Sequence, residues 1–378
     1  MTEKGAGVAG RSSVPTRIRV LHVGPGWGQR GGIASVLNEL VAQKDRFAKD
    51  AVLLSFCETH SFRSMTGAVG FIFHDTPRFA MAMMGKVDIV HFHVSVRASF
   101  YRKFLLFLIA RLAQKKTIVH LHAGNFQRFQ SNAGAVTRYA VSWLFGGSNA
   151  VIAVSTAVGD ELSLYSDDCN GIQVIGNTAL AAELAVYERP SAAVGGELPP
   201  YVAFAGRITK EKGVHDLMRA LALLKQQGCS VQLRLAGSGD IDHWRWLASE
   251  YGISDLVTFM GWLDGDAKLE FYRNARLFCM PSHFESFGIA TLEAMFAGVP
   301  VVGTRVGGFL DLVVDGVTGY LVDPGDPEAL AACIRMLIER PTLAENLGSA
   351  AAARAHEHYS ANAIVYQYVQ CYRAVAAQ

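Results

Sequence analysis

The sequence has little net charge and no closely paired cysteines. Its 378 residues carry 35 Lys and Arg against 33 Asp and Glu, which gives a formal net charge of +2. A broad basic face is therefore not expected, and neither is a nucleic-acid partner. The six cysteines include no C-x-x-C pair and no spacing typical of a disulfide framework. Scattered thiols of this kind favour a reducing compartment and predict a cytoplasmic location.

Long apolar segments are also missing. The longest purely apolar run, FLLFLIA from Phe104 to Ala110, is far shorter than the roughly 18 residues that cross a bilayer. We therefore expect no membrane-spanning helix. Residues 1–16, MTEKGAGVAGRSSVPT, are polar and glycine-rich and lack an apolar centre. They predict a disordered tail, not a signal peptide.

Short apolar strands alternate with helical patterns along most of the chain. This alternation pauses at residues 181–200, which contain three prolines and two adjacent glycines and read as a linker. The pattern predicts an α/β fold with two doubly wound, Rossmann-like domains, residues 17–180 and 201–360, facing each other across a cleft. In such sheets ligands bind at the carboxyl ends of the strands. The strands expected in the first domain are Ile18–Val23, Ala51–Phe56, Asp88–His93, Thr117–His122, Ala150–Val154 and Ile172–Ile175.

The first strand runs into a glycine-rich turn, VLHVGPGWGQRGGIASVLNEL, that satisfies G-x-G-x-x-G through Gly26, Gly28 and Gly31. The register differs from that of a dinucleotide fold. Gly24 closes the strand, and counting from it puts Gln29 where the third glycine should stand. The loop therefore does not predict a dehydrogenase.

The strongest local signal is HFESFGIATLEAMFAGVPVVGT, residues 283–304. A helix is expected from Ile289 to Phe296, so the backbone N–H groups of Phe287, Gly288 and Ile289 would form an open helix end that attracts phosphate. Glu285 lies just before this end, and Glu293 lies in a mostly apolar helix. Carboxylates beside a phosphate site are suited to accept hydrogen bonds from sugar hydroxyls. The alternative is an acid favoured by the helix dipole for Glu285 and a surface glutamate for Glu293.

Other loops of the second half add candidate donor contacts. In FAGRITKEKG, Arg207 and Lys212 follow a strand end, where they could clamp a diphosphate or remain solvated loop charges. LAGSGD and FMGWLD end strands with Gly237 and Gly261, which permit close approach of a ligand or form ordinary tight turns.

Together these elements resemble the retaining glycosyltransferases of family four, which have the GT-B fold. The resemblance rests on the Glu-x7-Glu motif of Glu285 and Glu293, with GRITKEKG, LAGSG, FMGW and GGFLDLVVDGVTGYLVDPGDPEAL in the family's order. The chain departs from the family's pattern at Thr178, Leu310 and Asp311. By this resemblance the final helical pattern, in residues 361–378, crosses back to the first domain.

The resemblance implies roles for these residues. Those matching Arg207 and Lys212 hold the nucleotide diphosphate, and the one matching Glu293 accepts the ribose hydroxyls. Glu285 and the backbone of Phe287, Gly288 and Ile289 face the transferred sugar and its phosphate. The nucleotide-sugar donor is a co-substrate, and no metal or other cofactor is implied. The residues matching Gly261, Trp262 and Leu263 lie beside the base.

The first domain contributes its own side of the cleft. By the resemblance, Gly31 and Gly32 open the first helix and approach the donor or acceptor, and His122 faces the sugar near its reacting carbon. Asn125 and Arg128, in the loop that follows, are candidates to meet the acceptor by position alone. His91, His93, His120 and His122 end two neighbouring strands and raise a metal hypothesis. We favour cleft-lining or buried histidines with backbone partners for His91 and His120.

Residues 97–116, RASFYRKFLLFLIARLAQKK, contain six cations and no acid around an apolar centre. Such a segment could rest on an anionic membrane surface, or it could be a buried helix with basic ends.

The sequence thus predicts a retaining, metal-independent hexosyltransferase acting on a glycan or lipid-linked glycan acceptor in cell-surface polysaccharide biosynthesis. Its location would be cytoplasmic, with a peripheral position on the inner face of the membrane as the alternative. A nucleotide-sugar epimerase or phosphorylase of the same fold and a catalytically silent nucleotide-sugar-binding partner are the rival functions.

Overall fold

The computed structural model describes residues 17–26, 31–60, 65–124, 126–164, 171–179, 181, 183 and 200–378. The expected disordered tail, residues 1–16, and residues 184–199 of the expected linker lie outside the described residues.

The first domain is built on a six-stranded parallel sheet with the strand order β2-β1-β3-β4-β5-β6. Its central strands are buried along nearly their whole length, as expected for a parallel sheet with helices on both faces. The strands are β1 Ile18–Pro25, β2 Val52–Thr59, β3 Ile89–Val94, β4 Lys116–Leu121, β5 Ala150–Ala153 and β6 Ile172–Val174. Each strand lies within a few residues of its predicted position.

The helices of this domain cover the two faces of the sheet. Helices α1 and α2 pack on one face, and α4, α5 and α7 pack on the other. Their bounds are α1 Gly32–Ala42, α2 Lys44–Lys49, α3 Met65–Gly70, α4 Thr76–Met83, α5 Ala98–Leu112, α6 Phe126–Ser131, α7 Ala135–Gly146 and α8 Thr156–Ser163, with a π-helical turn at Phe71–Asp75.

The second domain repeats this architecture with the strand order β12-β11-β10-β7-β8-β9, again all parallel. Its strands are β7 Tyr201–Ala205, β8 Gln232–Ala236, β9 Val257–Gly261, β10 Leu277–Met280, β11 Val301–Thr304 and β12 Gly319–Val322. A 3-10 turn spans Lys210–Lys212, and the helices are α9 Val214–Gln226, α10 Ile241–Glu250, α11 Gly265–Arg273, α12 Ile289–Phe296, α13 Phe309–Leu312, α14 Pro327–Glu339 and α15 Pro341–Tyr359.

The last helix, α16 Ala361–Ala377, returns to the first domain. It buries one apolar face, including Ile364, Val365 and Val369, against the same side of the sheet as α1 and α2. Apolar residues three and four apart form such a face on a helix. The predicted fold class is therefore confirmed: two doubly wound domains, with the final helix crossing back.

The two domains touch where the loops at the carboxyl ends of their strands meet. The N–H of Gly124, after β4, donates to Ser286 Oγ over 2.9 Å. A Cβ on Gly124 would lie 2.8 Å from Phe284 Cζ and 3.1 Å from Ser286 Cα, so a side chain there would crowd this contact. Among the residues that the structure describes, none of the helices combines the length and the apolar character that spanning a bilayer requires.

Candidate active site

The N-terminal end of helix α12 follows Phe284 and Ser286, which contact Gly124 of the first domain. Gly288 precedes the helix with φ +104°, a backbone conformation that favours glycine, and a Cβ there would lie 2.7 Å from Phe309 Cε1. In the described part of the chain, the N–H groups of Phe287, Gly288 and Ile289 donate to no acceptor. Three unpaired donors at the positive end of a helix dipole are suited to bind an anion.

Lys212 and Glu285 meet directly beside this helix end. Lys212 Nζ lies 2.5 Å from Glu285 Oε2, and the two side chains are only 18% and 13% exposed. Gly213 closes the turn that carries Lys212. Its φ is +72°, and a Cβ there would overlap the carbonyl oxygen of Pro281. The glycine thus lets the Lys212 turn pack against the end of β10.

Arg207 does not join this pair. It is exposed and makes no hydrogen bond to any described residue, although its charge acts on the nearby Glu211. A diphosphate clamp formed by Arg207 and Lys212 together stays a prediction.

Two side chains of the neighbouring helix α11 contact the Glu293 carboxylate. Lys268 Nζ forms an ion pair with Glu293 Oε1, and Tyr272 donates its hydroxyl to Glu293 Oε2 over 2.9 Å. The Glu293 side chain is only 13% exposed, so a carboxylate there needs such partners. Sequence reasoning missed Lys268 and Tyr272. Lys268 and Tyr272 are four residues apart and so lie on one face of a helix, and this spacing could have indicated that they act together.

The two strand-end glycines differ in their surroundings. A Cβ on Gly237 would overlap the carbonyl oxygen of Gly206, so this glycine is required by the packing of adjacent loops. Gly261 has open space around it, Trp262 is half-exposed and Leu263 is half-buried. Of these two glycines, only Gly261 has open space around its Cβ position among the described residues, and the roles of both toward a ligand stay predictions.

On the first domain, Gly31 and Gly32 begin α1 with no atom within 4 Å of a Cβ built on either residue. Among the described residues they have open space around them, and their expected approach to the donor or acceptor stays a prediction. His122 follows β4 and is partly exposed, two residues before the contact of Gly124 with the second domain. Arg128 is exposed on α6, and Asn125 lies outside the described residues.

Five histidines share one face of the first sheet. His22 on β1 stands beside His91 on β3, and His93 stands beside His120 on β4. His122 continues the same face, because alternate residues of a strand point the same way. The rings of His91 and His93 are stacked with centroids 4.6 Å apart. Sequence reasoning did not include His22, although its position in a strand next to β3 was the available signal.

The partners of the buried histidines are side chains. His22 Nδ1 lies 2.9 Å from His93 Nε2, and His93 Nδ1 lies 2.9 Å from His122 Nε2. His91 and His120 contact hydroxyls of α16, not the backbone groups that we expected. Burial lowers the pKa of His22 to about 3, holds the pKa of His91, His93 and His120 well below the ordinary value, and also lowers the pKa of the partly exposed His122, so all five are neutral near pH 7.

These rings also bear on the metal hypothesis. His22, His91 and His93 have nitrogen atoms within 4.8 Å of one another, and so do His93, His120 and His122. Several of these nitrogens already form hydrogen bonds with one another, so they have partners without a bound metal ion.

Two cations of the basic segment 97–116 are buried. Arg102 and Lys103 are both buried in α5, and Lys103 Nζ donates to Thr59 Oγ1 over 2.8 Å. Burial lowers the pKa of Lys103 to about 7. Arg102 and Lys103 are therefore not available to a membrane surface, and contact of the rest of the segment with a membrane stays a prediction.

Comparison with known proteins agrees with this geometry. Residues 193–354 match the family Glycosyl transferases group 1. The chain is 31% identical over 261 residues to glycogen synthase of Mycobacterium tuberculosis, which is 68% of this chain and 62% of that relative. The chain therefore spans less than two thirds of that relative's length.

Two solved structures share the fold over nearly their whole length. Sucrose-phosphate synthase from Thermosynechococcus elongatus has a TM-score of 0.74 at 21% identity, covering 96% of this chain and 100% of that chain. Anabaena HepE in complex with UDP and glucose has a TM-score of 0.73 at 21% identity, covering 94% and 99%. The matched region 193–354, which contains Lys212, Glu285 and Glu293, belongs to the group 1 glycosyl transferases, and the chain has the GT-B fold.

Proposed function

We propose that the protein is a retaining, metal-independent hexosyltransferase that moves a sugar from a nucleoside-diphosphate donor to a glycan or lipid-linked glycan acceptor. Its role would lie in cell-surface polysaccharide biosynthesis. The observation that carries the proposal is the cluster at helix α12: three unpaired backbone N–H groups next to Lys212, Glu285 and Glu293. That HepE binds UDP and glucose supports a nucleotide-sugar donor for the same fold.

The charges of the cluster suit a nucleotide sugar. The helix end and Lys212 would hold the diphosphate, since both favour negative charge. Once a phosphate engages Lys212, Glu285 loses its present partner and is available to a sugar hydroxyl. Glu293 would accept the ribose hydroxyls while Lys268 and Tyr272 hold its carboxylate in place. Gly261, Trp262 and Leu263 would lie beside the base, and Arg207 would swing onto the diphosphate.

The distribution of positive charge in this cluster supports the proposal of metal independence. Lys212, Arg207 and the helix end would balance the leaving diphosphate without a divalent ion. Purified protein should therefore turn over its donor equally well with and without EDTA. Loss of activity in EDTA that a divalent ion restores would contradict this part of the proposal.

A donor screen identifies the sugar and base. A panel of nucleotide sugars is ranked by thermal stabilisation, because a ligand at 100 times its dissociation constant stabilises the folded state by roughly 2.7 kcal/mol. The best donor is then tested for transfer, and the anomeric configuration of the product is read by NMR. An inverted configuration would refute retention.

The rival functions give different products. A nucleotide-sugar epimerase would isomerise the donor without acceptor, and a phosphorylase would release sugar phosphate. A silent binding partner would bind donor and neither transfer nor hydrolyse the sugar. Acceptor-dependent release of nucleoside diphosphate favours transfer over all three.

For the lipid-linked acceptor, the structure offers a face of the first domain that combines exposed apolar side chains with cations. We call the outer surface of α4, α5 and α7 the apolar-basic face. On α5 the exposed residues Tyr101, Leu105 and Leu112 share one helix side, and α7 adds Tyr139 and Trp143 beside them. Tyr101 and Thr137 join the two helices by a 3.0 Å hydrogen bond.

The charges of this face are almost all positive. Residues 65–149 contain ten Lys or Arg, of which Arg102 and Lys103 are buried, and only two acids, Asp75 and Asp88. Asp75 is buried against His60 and His74, and Asp88 is paired with Arg19. Apolar side chains among cations fit an anionic bilayer, which would place the enzyme peripherally on the cytoplasmic face.

Vesicle flotation tests this contact. The protein should float with vesicles rich in anionic lipid and not with zwitterionic ones. Leu112→Glu, at a residue that is 85% exposed, should reduce flotation, whereas Tyr366→Glu on the opposite side of the same sheet should not. Equal flotation of the two variants would contradict the assignment of this face.

A further inference from the structure

Four side chains form a continuous hydrogen-bonded chain from the last helix to the cleft. Tyr372 Oη, on α16, lies 3.3 Å from His22 Nε2. His22 Nδ1 lies 2.9 Å from His93 Nε2, and His93 Nδ1 lies 2.9 Å from His122 Nε2. Tyr372, His22 and His93 are fully buried, and His122 is partly exposed beside the interdomain contact.

A chain of neutral histidines has only two orientations. A neutral imidazole carries one donor nitrogen and one acceptor nitrogen. The choice at one ring therefore fixes the choice at the next. Either every ring donates toward the cleft or every ring donates toward Tyr372, and the hydroxyl at the buried end selects between these two states.

The second contact of Tyr372 favours one state. Its oxygen also lies 2.9 Å from His91 Nδ1, closer than it lies to His22 Nε2. A hydroxyl has a single hydrogen, and a phenol is a stronger donor than an imidazole N–H, so its donated bond should be the shorter one. Tyr372 then donates to His91, and its oxygen accepts from His22 Nε2–H. Among the described residues, His91 Nε2 has no hydrogen-bond partner in either state.

This orientation propagates to the cleft. His22 accepts at Nδ1 from His93 Nε2–H, and His93 accepts at Nδ1 from His122 Nε2–H. His122 is left with an unprotonated Nδ1, which bonds to no described residue. The ring would thus present an acceptor, not a donor, to a hydroxyl in the cleft.

We propose that Tyr372, His22 and His93 are positioning residues that hold His122 as its Nε2–H tautomer, with Nδ1 presented to the cleft as a hydrogen-bond acceptor. The consequence for turnover rests on the proposed function, in which His122 faces the transferred sugar. The tautomer itself does not depend on that function, so the two can fail separately.

The tautomer can be measured without substrate. Long-range 1H–15N spectra of 15N-histidine-labelled protein at pH 7.5 distinguish the two tautomers, and the His122 signals are identified by their loss in His122→Gln. Wild-type protein should show His122 protonated at Nε2. A ring protonated at Nδ1 in the wild type would overturn the proposal without recourse to any other variant.

Removing the Tyr372 hydroxyl tests whether this residue of α16 sets the tautomer of His122. In Tyr372→Phe the His22 Nε2–H would lose its acceptor, so the chain should reverse and His122 should become protonated at Nδ1. Tyr368→Phe is the matched control, because Tyr368 is equally buried on the same helix but contacts His120 at 3.5 Å, outside the chain. An unchanged His122 tautomer in Tyr372→Phe, or the same reversal in Tyr368→Phe, would overturn the proposal.

Turnover separates the proposal from the function on which it rests. Tyr372→Phe should lower kcat by about tenfold, as expected for one lost hydrogen bond in the transition state, and should leave nucleoside-diphosphate affinity unchanged. If the tautomer reverses while kcat stays the same, the positioning role is upheld in the free protein and the role of His122 toward the sugar is refuted.

Discussion

Mild acid should destabilise this protein strongly, because its first domain buries neutral histidines. His22, His91, His93 and His120 are fully buried, and burial holds the pKa of each far below the value of about 6.5 that an unfolded chain gives. Between pH 7.5 and 5.5 the unfolded state takes up protons on these residues while the folded state does not. Stability is therefore full above pH 6.5 and is lost as the pH falls toward the folded-state pKa, which is about 3 for His22.

The size of the effect follows from proton linkage. Each such histidine lowers the free energy of unfolding by about 1.4 kcal/mol between pH 7.5 and 5.5. Four of them together lower it by about 5 kcal/mol, a large part of the 5–15 kcal/mol typical of a folded domain. Most carboxylates titrate below this window, so the histidines dominate the change.

Urea unfolding followed by circular dichroism at pH 7.5, 6.5 and 5.5 measures this loss of unfolding free energy. His120→Phe removes one of the four rings and should reduce the loss by about 1.4 kcal/mol. His243→Gln, at an exposed position of the second domain, should leave it unchanged. A midpoint that does not depend on pH across this range would refute the reasoning, since it would mean that the folded protein binds these protons as readily as the unfolded chain.

Further predictions concern single side chains. Glu293→Ala should weaken donor binding by about 1.5–3 kcal/mol, measured by calorimetry, because a charged acceptor for the ribose is lost; unchanged affinity in a folded variant would exclude that role. Lys212→Ala should weaken the donor and free nucleoside diphosphate alike, whereas a loss confined to the sugar-bearing donor would place Lys212 elsewhere. Lys103→Met should raise the urea midpoint more at pH 7 than at pH 9.5. The pKa of Lys103 is about 7 in the folded state and about 10.4 in the unfolded state, so the wild-type protein loses stability as the pH falls between these two values. An equal gain in midpoint at pH 7 and pH 9.5 would contradict a buried Lys103 with a lowered pKa.

The sequence by itself determined the architecture and the position of the cleft. Strand length, apolar runs and glycine breaks are local signals, and they located all six strands of the first domain to within a few residues. Helix α12 begins and ends at the predicted residues, because Gly288 and Gly298 supply the positive φ needed at its two ends. The carboxyl ends of parallel strands then fix the side of each sheet on which ligands bind.

The tertiary structure alone decided which side chains meet. Lys268 and Tyr272 reach Glu293 only because α11 packs beside α12, and His22 joins His93 only because β1 pairs with β3. Periodicity likewise could not say that Arg102 and Lys103 turn inward, since their burial depends on Thr59 and the sheet behind α5. A local pattern records the spacing of residues along one element. The partners of a side chain, its pKa and the tautomer of a histidine depend on how separate elements pack, and that is set by the fold as a whole.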